Sequence, residues 1–168
     1  MARTKFVCEV LTPEGEVFNE EIEMISTRTT SGSIGLLANH EPVLARLEPT
    51  ELRLYRSEGD FVRYAQAEGY VQMSENRALL LVEEALEPGR LDANALRERA
   101  DLARSAAEAA PDGSEEEARA QRDLARAEAF LAIARMIGDV ADFAERLDQV
   151  VGGLTIVFDD EKAHGTKG

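Results

Sequence analysis

The stretch Ala85-Leu86-Glu87-Pro88-Gly89-Arg90-Leu91-Asp92 separates two parts of the chain that differ in composition. Residues 1–87 are rich in Val, Ile, Phe, Tyr and Thr and contain 7 Ala, whereas residues 88–137 contain 15 Ala. β-Branched and aromatic residues favour strands, and Ala favours helices. The sequence therefore predicts an N-terminal antiparallel β-sandwich over residues 1–87, an antiparallel α-helical hairpin over residues 88–137, and an additional C-terminal tail over residues 138–168.

Upstream of Pro88, apolar residues recur with the period of two that is typical of strands, as Phe6, Cys8 and Val10 do. The predicted strands are Lys5–Leu11, Glu20–Arg28, Leu52–Arg56, Phe61–Tyr70 and Ala78–Leu86. Turn-forming residues separate them, among them Thr30–Ser33 and the hairpin turn Ser57–Asp60. Several short strands at this spacing indicate a sandwich or a barrel.

Downstream of Pro88, Asp92 is a suitable N-cap for a first helix that runs to about Ala109. Ser114 and Glu117 form a capping-box pattern for a second helix. The predicted apolar stripes are Leu96, Ala100, Ala103 and Ala107 on the first helix, and Gln121, Leu124, Ala125 and Ala132, with Phe130, Ile133 and Ile137 adjoining, on the second. Because these stripes are mostly Ala, each helix buries little area, so we expect a weakly held hairpin that detaches and changes conformation.

The last part of the chain gives weaker signals. Val140, Phe143 and Leu147 follow helical spacing until Gly152-Gly153 interrupts it. The next residues, Leu154–Phe158, are β-prone, and residues 159–168 are typical of a solvated tail.

The charge excludes one class of partner. With 19 Lys and Arg against 33 Asp and Glu, the net charge is 19 − 33 = −14, which disfavours nucleic acid. By part, residues 1–87 carry 8 − 16 = −8, residues 88–137 carry 8 − 10 = −2, and residues 138–168 carry 3 − 7 = −4. The absence of an apolar run of about 18 residues and of a signal-peptide core predicts a protein that neither spans a membrane nor is exported. The single cysteine excludes an internal disulfide and agrees with a reducing compartment.

Residues suited to catalysis are sparse. The two histidines, His40 and His164, lack the close ligand spacings of a zinc site, and the position of Cys8 in an alternating pattern predicts a buried side chain. The segment Gly32–Gly35 lacks the Lys and the spacing of a phosphate loop. The sequence thus predicts no catalytic residue, no metal and no cofactor, and argues against an independent enzyme.

Residues 31–45, which read SGSIGLLANHEPVLA, resemble the ε subunit of F-type ATP synthases. In that family a Gly-containing loop is followed by an apolar pair, Asn/Gly-His-x-Pro and a short apolar run. The opening Phe-x-Cys-x-Val-Leu-Thr-Pro-Glu-Gly, the later Gly69-Tyr70-Val71 and the Ala-rich hairpin follow in the matching order. The resemblance extends over about residues 4–137.

This resemblance implies a non-catalytic subunit of the central stalk that binds the γ subunit and the c-ring, on the cytoplasmic face of a bacterial membrane. It places the c-ring contact at Ser31, Gly32 and Ser33, with His40 nearby, and brings an apolar flank of the sandwich to γ. Ser31 and Ser33 depart from the acidic side chains that are frequent in the family's loop. The alternative interpretation of any one of these residues is a solvated turn that merely connects two strands.

The family also implies a regulatory role for the hairpin, whose basic residues reach an acidic segment of the β subunit and inhibit ATP hydrolysis. Here the corresponding residues are Arg119, Arg122 and Arg126, with Arg135 further along the helix. They would alternatively pair with Glu115–Glu117, Asp123 and Glu128 along a solvated helix.

Some members bind ATP through Ile/Leu-Asp-x-x-Arg-Ala, but Ala95 and Leu96 replace the Arg and Ala of that motif. We therefore expect no nucleotide site and interpret Asp92 as a helix cap. A second hypothesis, from a different functional class, is a free-standing β-sandwich that binds a soluble protein or a small ligand through an exposed apolar patch.

Overall fold

The structure, a computed structural model, describes residues 3–152, with side chains described for residues 3–140. Within this range ten strands precede a short 3-10 helix, Pro88–Arg90, and two α-helices, α1 (Ala93–Ala109) and α2 (Glu115–Gly152). The strands are β1 (Phe6–Thr12), β2 (Gly15–Ile22), β3 (Met24–Thr29), β4 (Gly32–Leu37), β5 (Val43–Leu47), β6 (Thr50–Ser57), β7 (Asp60–Gln66), β8 (Gly69–Ser74), β9 (Arg77–Val82) and β10 (Ala85–Leu86). The predicted fold class, a β-sandwich followed by a helical hairpin, is confirmed.

The strands form two halves of five that enclose one apolar core. One half has the order β4-β3-β6-β7-β10 and the other the order β5-β8-β9-β1-β2. The halves are joined where Thr29 of β3 lies opposite Leu47 of β5. The fully buried side chains between them include Phe6, Cys8, Val10, Ile22, Ile25, Leu36, Leu47, Leu52, Leu54 and Leu80. Their burial is the main stabilising contribution to this part of the chain.

Strand β1 shows the predicted alternation and one unexpected pairing. Phe6, Cys8 and Val10 point into the core, and the residues between them are half-buried. On one side β1 pairs with β2 in the antiparallel sense, but on the other it runs parallel to β9, with Cys8 opposite Ala78. This pair departs from the predicted antiparallel arrangement.

Three predicted strands are each two strands, because the chain changes partners within them. At Glu23 it passes from pairing with β1 to pairing with β6, and the Glu23 amide donates to the Tyr55 carbonyl at 2.7 Å. It changes partners again between β7 and β8, and between β9 and β10. Strands β4 and β5 were not predicted, and the turn expected at Thr30–Ser33 is confined to Thr30 and Ser31.

Both helix starts are capped. The Asp92 carboxylate accepts from the Asn94 and Ala95 amides at 2.8 and 3.2 Å, as the sequence predicts. The Ser114 hydroxyl oxygen accepts from the Glu117 amide at 3.1 Å, but the Glu117 carboxylate accepts from Gly113 instead of Ser114. The capping box is thus formed in one direction only, because the Ser114 amide already donates to the Pro111 carbonyl.

The hairpin packs on the sandwich through a second, small apolar cluster. Leu96 of α1 and Phe130 and Ile133 of α2 are buried against Ala65 and Ala67. On α1 the predicted stripe is buried at Leu96, Ala100 and Ala103. On α2 the predicted stripe is wrong at Gln121, Ala125 and Ala132, which are exposed, whereas the adjoining Phe130 and Ile133 are buried as predicted. The buried face of α2 consists of these two residues with Ala120 and Ala127. The large side chains of Phe130 and Ile133 determine which face of this Ala-rich helix is buried.

Contacts within the chain divide it into two units, of which the first ends at Ile137 and the second begins at Gly138. The first contains the sandwich and the packed hairpin. In the second, α2 continues to Gly152. The predicted strand Leu154–Phe158 and the tail from residue 159 onward lie outside the described residues.

Replacing Gly69 with Ala is expected to lower the free energy of unfolding by about 3 kcal/mol, since overpacking a core position typically costs a few kcal/mol. A Cβ atom at this position would lie 2.0 Å from the Leu81 carbonyl oxygen, so the backbone itself has to move. Urea denaturation followed by circular dichroism measures the change. Gly89→Ala is the control, because a Cβ there meets nothing within 4 Å. Equal stability of the two variants would contradict this account of the β8–β9 approach.

Candidate functional site

The turn between β3 and β4 presents the first group of predicted contact residues. Ser31 and Ser33 are exposed, and Gly32 between them has φ +122°, a conformation that side chains rarely adopt. The Thr29 hydroxyl donates to the Gly32 carbonyl at 3.0 Å and accepts from the Ser31 amide at 3.2 Å. The turn is therefore a fixed polar projection of the sandwich.

His40 lies beyond the other end of β4. Its amide donates to the Leu37 carbonyl at 3.2 Å, and its Nδ1 lies 2.7 Å from the Glu41 carbonyl oxygen. Next to it, Asn39 exchanges hydrogen bonds with Asn76 of the β8–β9 turn, at 2.6 and 3.1 Å. Asn39 and Asn76 both have positive φ, which Asn tolerates better than most residues.

The structure therefore brings Ser31, Gly32 and Ser33 together but not His40. Gly32 and Leu37 are the two ends of β4, and at about 3.4 Å per residue they lie about 17 Å apart. Ser33, Gly35 and Leu37 form an exposed row along the strand between them. A single contact that includes all four predicted residues has to follow the length of β4.

Of the three predicted arginines, Arg126 is the one that the sandwich engages. Its side chain is only 15% exposed. Its Nε donates to Glu68 Oε2 at 3.1 Å, and its Nη2 donates to the other oxygen of the same carboxylate. Its Nη1 also lies 3.9 Å from Glu84 Oε2, and Arg99 of α1 contacts the same oxygen of Glu84 at 3.6 Å. Two carboxylates of the sandwich thus face two guanidinium groups of the hairpin.

The surroundings favour the charged forms of both Glu68 and Arg126. Burial alone would raise the pKa of Glu68, but the hydrogen bonds from Arg126 and the positive charges of Arg126 and Arg122 outweigh it and lower that pKa. Burial likewise opposes the charge on Arg126, and the hydrogen bonds and negative charge of Glu68 outweigh it, so the pKa of Arg126 is raised. The pair is consequently ionised at neutral pH.

Arg119 and Arg122 are exposed on α2. Among the ion pairs of the described residues, none joins Arg119, Arg122 or Arg126 to the acidic side chains of α2 that the sequence offers as partners. Glu128 instead pairs with Arg104 of α1 at 2.9 Å. Arg122 and Ala125 line a cavity of about 260 Å³ together with Thr30, Pro49 and Glu68 of the sandwich.

An exposed apolar surface on the β5–β8–β9–β1 side was not assigned residue by residue from the sequence. Arg46, Tyr70, Leu81 and Leu11 lie side by side across the four strands. Leu44 is 72% exposed and Tyr70 55% exposed, and Leu81 is 48% exposed. We call Leu44, Tyr70 and Leu81 the apolar face. The alternation of β8 and β9 indicates which of their residues point outward, but only the strand order shows that these side chains are neighbours.

The structure gives no support for catalysis at Cys8 or for a metal site among the described side chains. Cys8 lies in the core, where burial and then the charge of Glu9 raise the pKa of its thiol to about 12. Between residues 3 and 140, whose side chains the structure describes, no group of three or more His, Cys, Asp or Glu is arranged to hold a metal ion. In the same range, no helix combines the length and the apolarity required to cross a membrane.

Comparison with known proteins gives consistent matches. Residues 5–88 match the family model of the β-sandwich domain of the ATP synthase delta/epsilon chain. The ATP synthase epsilon chain of Levilactobacillus brevis is 36% identical over 122 residues, which are 73% of this chain and 84% of that protein. The ATP synthase epsilon chain of Herpetosiphon aurantiacus is 34% identical over 131 residues, which are 76% of this chain and 93% of that protein.

A solved structure has the same fold. A chain in the cryo-EM structure of Euglena gracilis mitochondrial ATP synthase, which comprises OSCP, F1 and the c-ring, superposes with a TM-score of 0.66. The alignment covers 76% of this chain and 80% of that chain, at 19% sequence identity. At this identity the likeness concerns the fold alone.

Cys8 is expected to be unreactive in the folded protein. With a pKa of about 12, its thiolate is scarce at pH 8, and the core excludes the reagent as well. A thiol assay with a maleimide at pH 8 should label almost none of the native protein and one thiol per chain in urea. Rapid stoichiometric labelling without urea would contradict this burial.

Proposed function

This chain belongs to the ε-subunit family of F-type ATP synthases, and from that premise we propose that it is a non-catalytic rotor subunit that couples γ to the c-ring. The observation that carries the proposal is an exposed apolar face on an acidic sandwich. The molecule has a net charge of −14, yet Leu44, Tyr70 and Leu81 lie exposed on adjacent strands. Exposed apolar surface of this kind is typical of an interface with another protein.

The apolar face is the proposed contact with γ. Tyr70 lies opposite Leu81 across β8 and β9, so a partner that covers one side chain also covers the other. Leu11 and Leu79 are half-buried beside them and extend the apolar surface. Aromatic and aliphatic side chains at the centre of such a contact supply most of the binding energy.

The proposed contact with the c-ring begins at Ser31, Gly32 and Ser33. The turn offers hydroxyl groups and backbone amides to the polar end of a membrane subunit, and its Thr29 hydrogen bonds keep it in one conformation. For His40 to take part, the contact continues along Ser33, Gly35 and Leu37 on the exposed row of β4.

The hairpin is the proposed regulatory element. Arg119 and Arg122 are exposed, so they are available to an acidic segment of the β subunit while the hairpin is packed on the sandwich. Arg126 becomes available only when the hairpin leaves Glu68. Such docking of arginines on carboxylates would oppose ATP hydrolysis. The subunit would then act at the cytoplasmic face of a bacterial membrane, attached to it only through the complex, in an enzyme that couples ATP synthesis to ion transport.

Replacing Leu81 with Asp is expected to weaken binding to an F1 complex that lacks the ε subunit by about tenfold or more, because a charged group would be buried against γ. Titration calorimetry or co-purification measures the loss. Leu102→Asp is the matched control, since Leu102 is 73% exposed on α1, away from the apolar face. Unchanged affinity of Leu81→Asp would contradict the assignment of the face to γ.

The wild-type chain also tests the proposal as a whole. A well-folded protein that forms no complex with γ and the c-ring would contradict the proposed rotor function and favour a free-standing binding module.

Replacing both Arg119 and Arg122 with Ala is expected to raise ATP hydrolysis by the assembled enzyme about fivefold, if each exposed contact contributes about 0.5 kcal/mol. Steady-state hydrolysis of the reconstituted complex is the measurement. The control is the double variant Arg90→Ala with Arg97→Ala. It also removes two exposed arginines, but both lie before α2 in the chain. Equal hydrolysis by the two double variants would count against a role for α2 in inhibition.

A further inference from the structure

The contact between hairpin and sandwich is small and partly ionic. On the apolar side Leu96, Phe130 and Ile133 are buried against two alanines, Ala65 and Ala67, and four half-buried side chains pack around them: Leu86, Leu91, Leu131 and Ile137. On the polar side it consists of Arg126 and Arg99 of the hairpin against Glu68 and Glu84 of the sandwich. Because only three large side chains of this cluster are buried, the ionic part contributes substantially to the balance between packed and detached hairpin.

Glu68 is held in place by the sandwich itself. Its carbonyl accepts from the Glu83 amide at 3.0 Å, and the neighbouring Ala67 amide donates to the Glu84 carbonyl at 2.8 Å. The next residue, Gly69, passes so close to the Leu81 carbonyl that no side chain fits. The backbone that carries Glu68 is therefore rigid, and the charge that meets Arg126 is positioned in advance.

We propose that the Glu68–Arg126 ion pair is a latch that holds the hairpin on the sandwich and, while it is closed, withholds Arg126 from any acidic partner. The pair is bidentate, and both side chains are less than a fifth exposed. One guanidinium group cannot make this fork-shaped contact with two carboxylates in different places at once. Detachment of the hairpin and availability of Arg126 are thus the same event. The consequence for ATP hydrolysis rests on the proposed function, whereas the latch itself does not.

The closest matched pair of variants is Glu68→Gln and Glu48→Gln. Both remove one negative charge and keep the size of the side chain. Glu68 joins the hairpin to the sandwich, whereas Glu48 is 44% exposed and pairs with Arg28 within the sandwich. Phe130→Ala removes the largest apolar group of the contact and is the positive control for a detached hairpin in the assay.

The docking equilibrium is measured on the full chain by electron spin resonance distances between labels at Glu58→Cys in the β6–β7 turn and Glu108→Cys near the end of α1. We expect Glu68→Gln to raise the ratio of detached to packed hairpin about tenfold or more, because Arg126 is left with one distant carboxylate. Glu48→Gln should leave the ratio unchanged. Glu68→Arg combined with Arg126→Glu should restore the packed state. If Glu68→Gln does not fold, Arg126→Gln removes the same pair from the hairpin side.

Two results overturn the latch. One is a Glu68→Gln distribution equal to that of the wild type while Phe130→Ala shifts, and the other is an equal shift in Glu48→Gln. Hydrolysis by the assembled enzyme is measured separately, and we expect it to fall about threefold in Glu68→Gln, since a released Arg126 inhibits. A hairpin that detaches while hydrolysis stays unchanged supports the latch and contradicts the proposed function of the hairpin.

Discussion

The corner where β7 passes into β8 is the constraint on which the rest of the molecule depends. Within three residues, Ala67 and Glu68 are tied by backbone hydrogen bonds to Glu84 and Glu83, and Gly69 touches the backbone of β9. The chain crosses here from one half of the sandwich to the other. Because the crossing is tight, both halves keep a fixed relation and the core between them is closed. Ala65, Ala67 and Glu68 on the outside of the same corner receive the hairpin.

The hairpin is attached by a different balance of forces from the one that closes the sandwich. The sandwich core contains many large buried apolar side chains, and the contact with the hairpin contains three, Leu96, Phe130 and Ile133. Small residues on the receiving strand let α2 approach closely but contribute little buried area of their own. An attachment of this kind depends on a few side chains, so one charge pair can determine its strength. In a large apolar interface a single charge pair would have much less effect.

The composition change around Pro88 was sufficient to predict the β domain, the first helix and its Asp92 cap, because these depend on local preferences. The places where the chain changes partners, at Glu23 and between β7 and β8, were not predictable, since the strands paired on either side of each change are distant from it in the chain. Strand β4 was hidden because Gly32 and Gly35 indicate a loop, although its register with β3 is continuous. The same distinction between local and long-range information applies to the candidate site. The sequence identified Arg126 as a charge, but only the fold shows that Glu68, 58 positions earlier, is its partner.

The parallel pairing of β1 with β9 has a consequence for how the protein is made. One edge of β1 pairs with β2, which follows directly, but on the other edge Cys8 lies opposite Ala78, 70 positions later in the chain. That edge stays unpaired until β9 has left the ribosome, when nearly the whole β domain has been synthesised. Pairing between such distant segments is slow, because a long loop is ordered before any contact compensates for it. The helices follow β9 in the chain, so during synthesis the β domain is able to close before the hairpin that packs on it has been made.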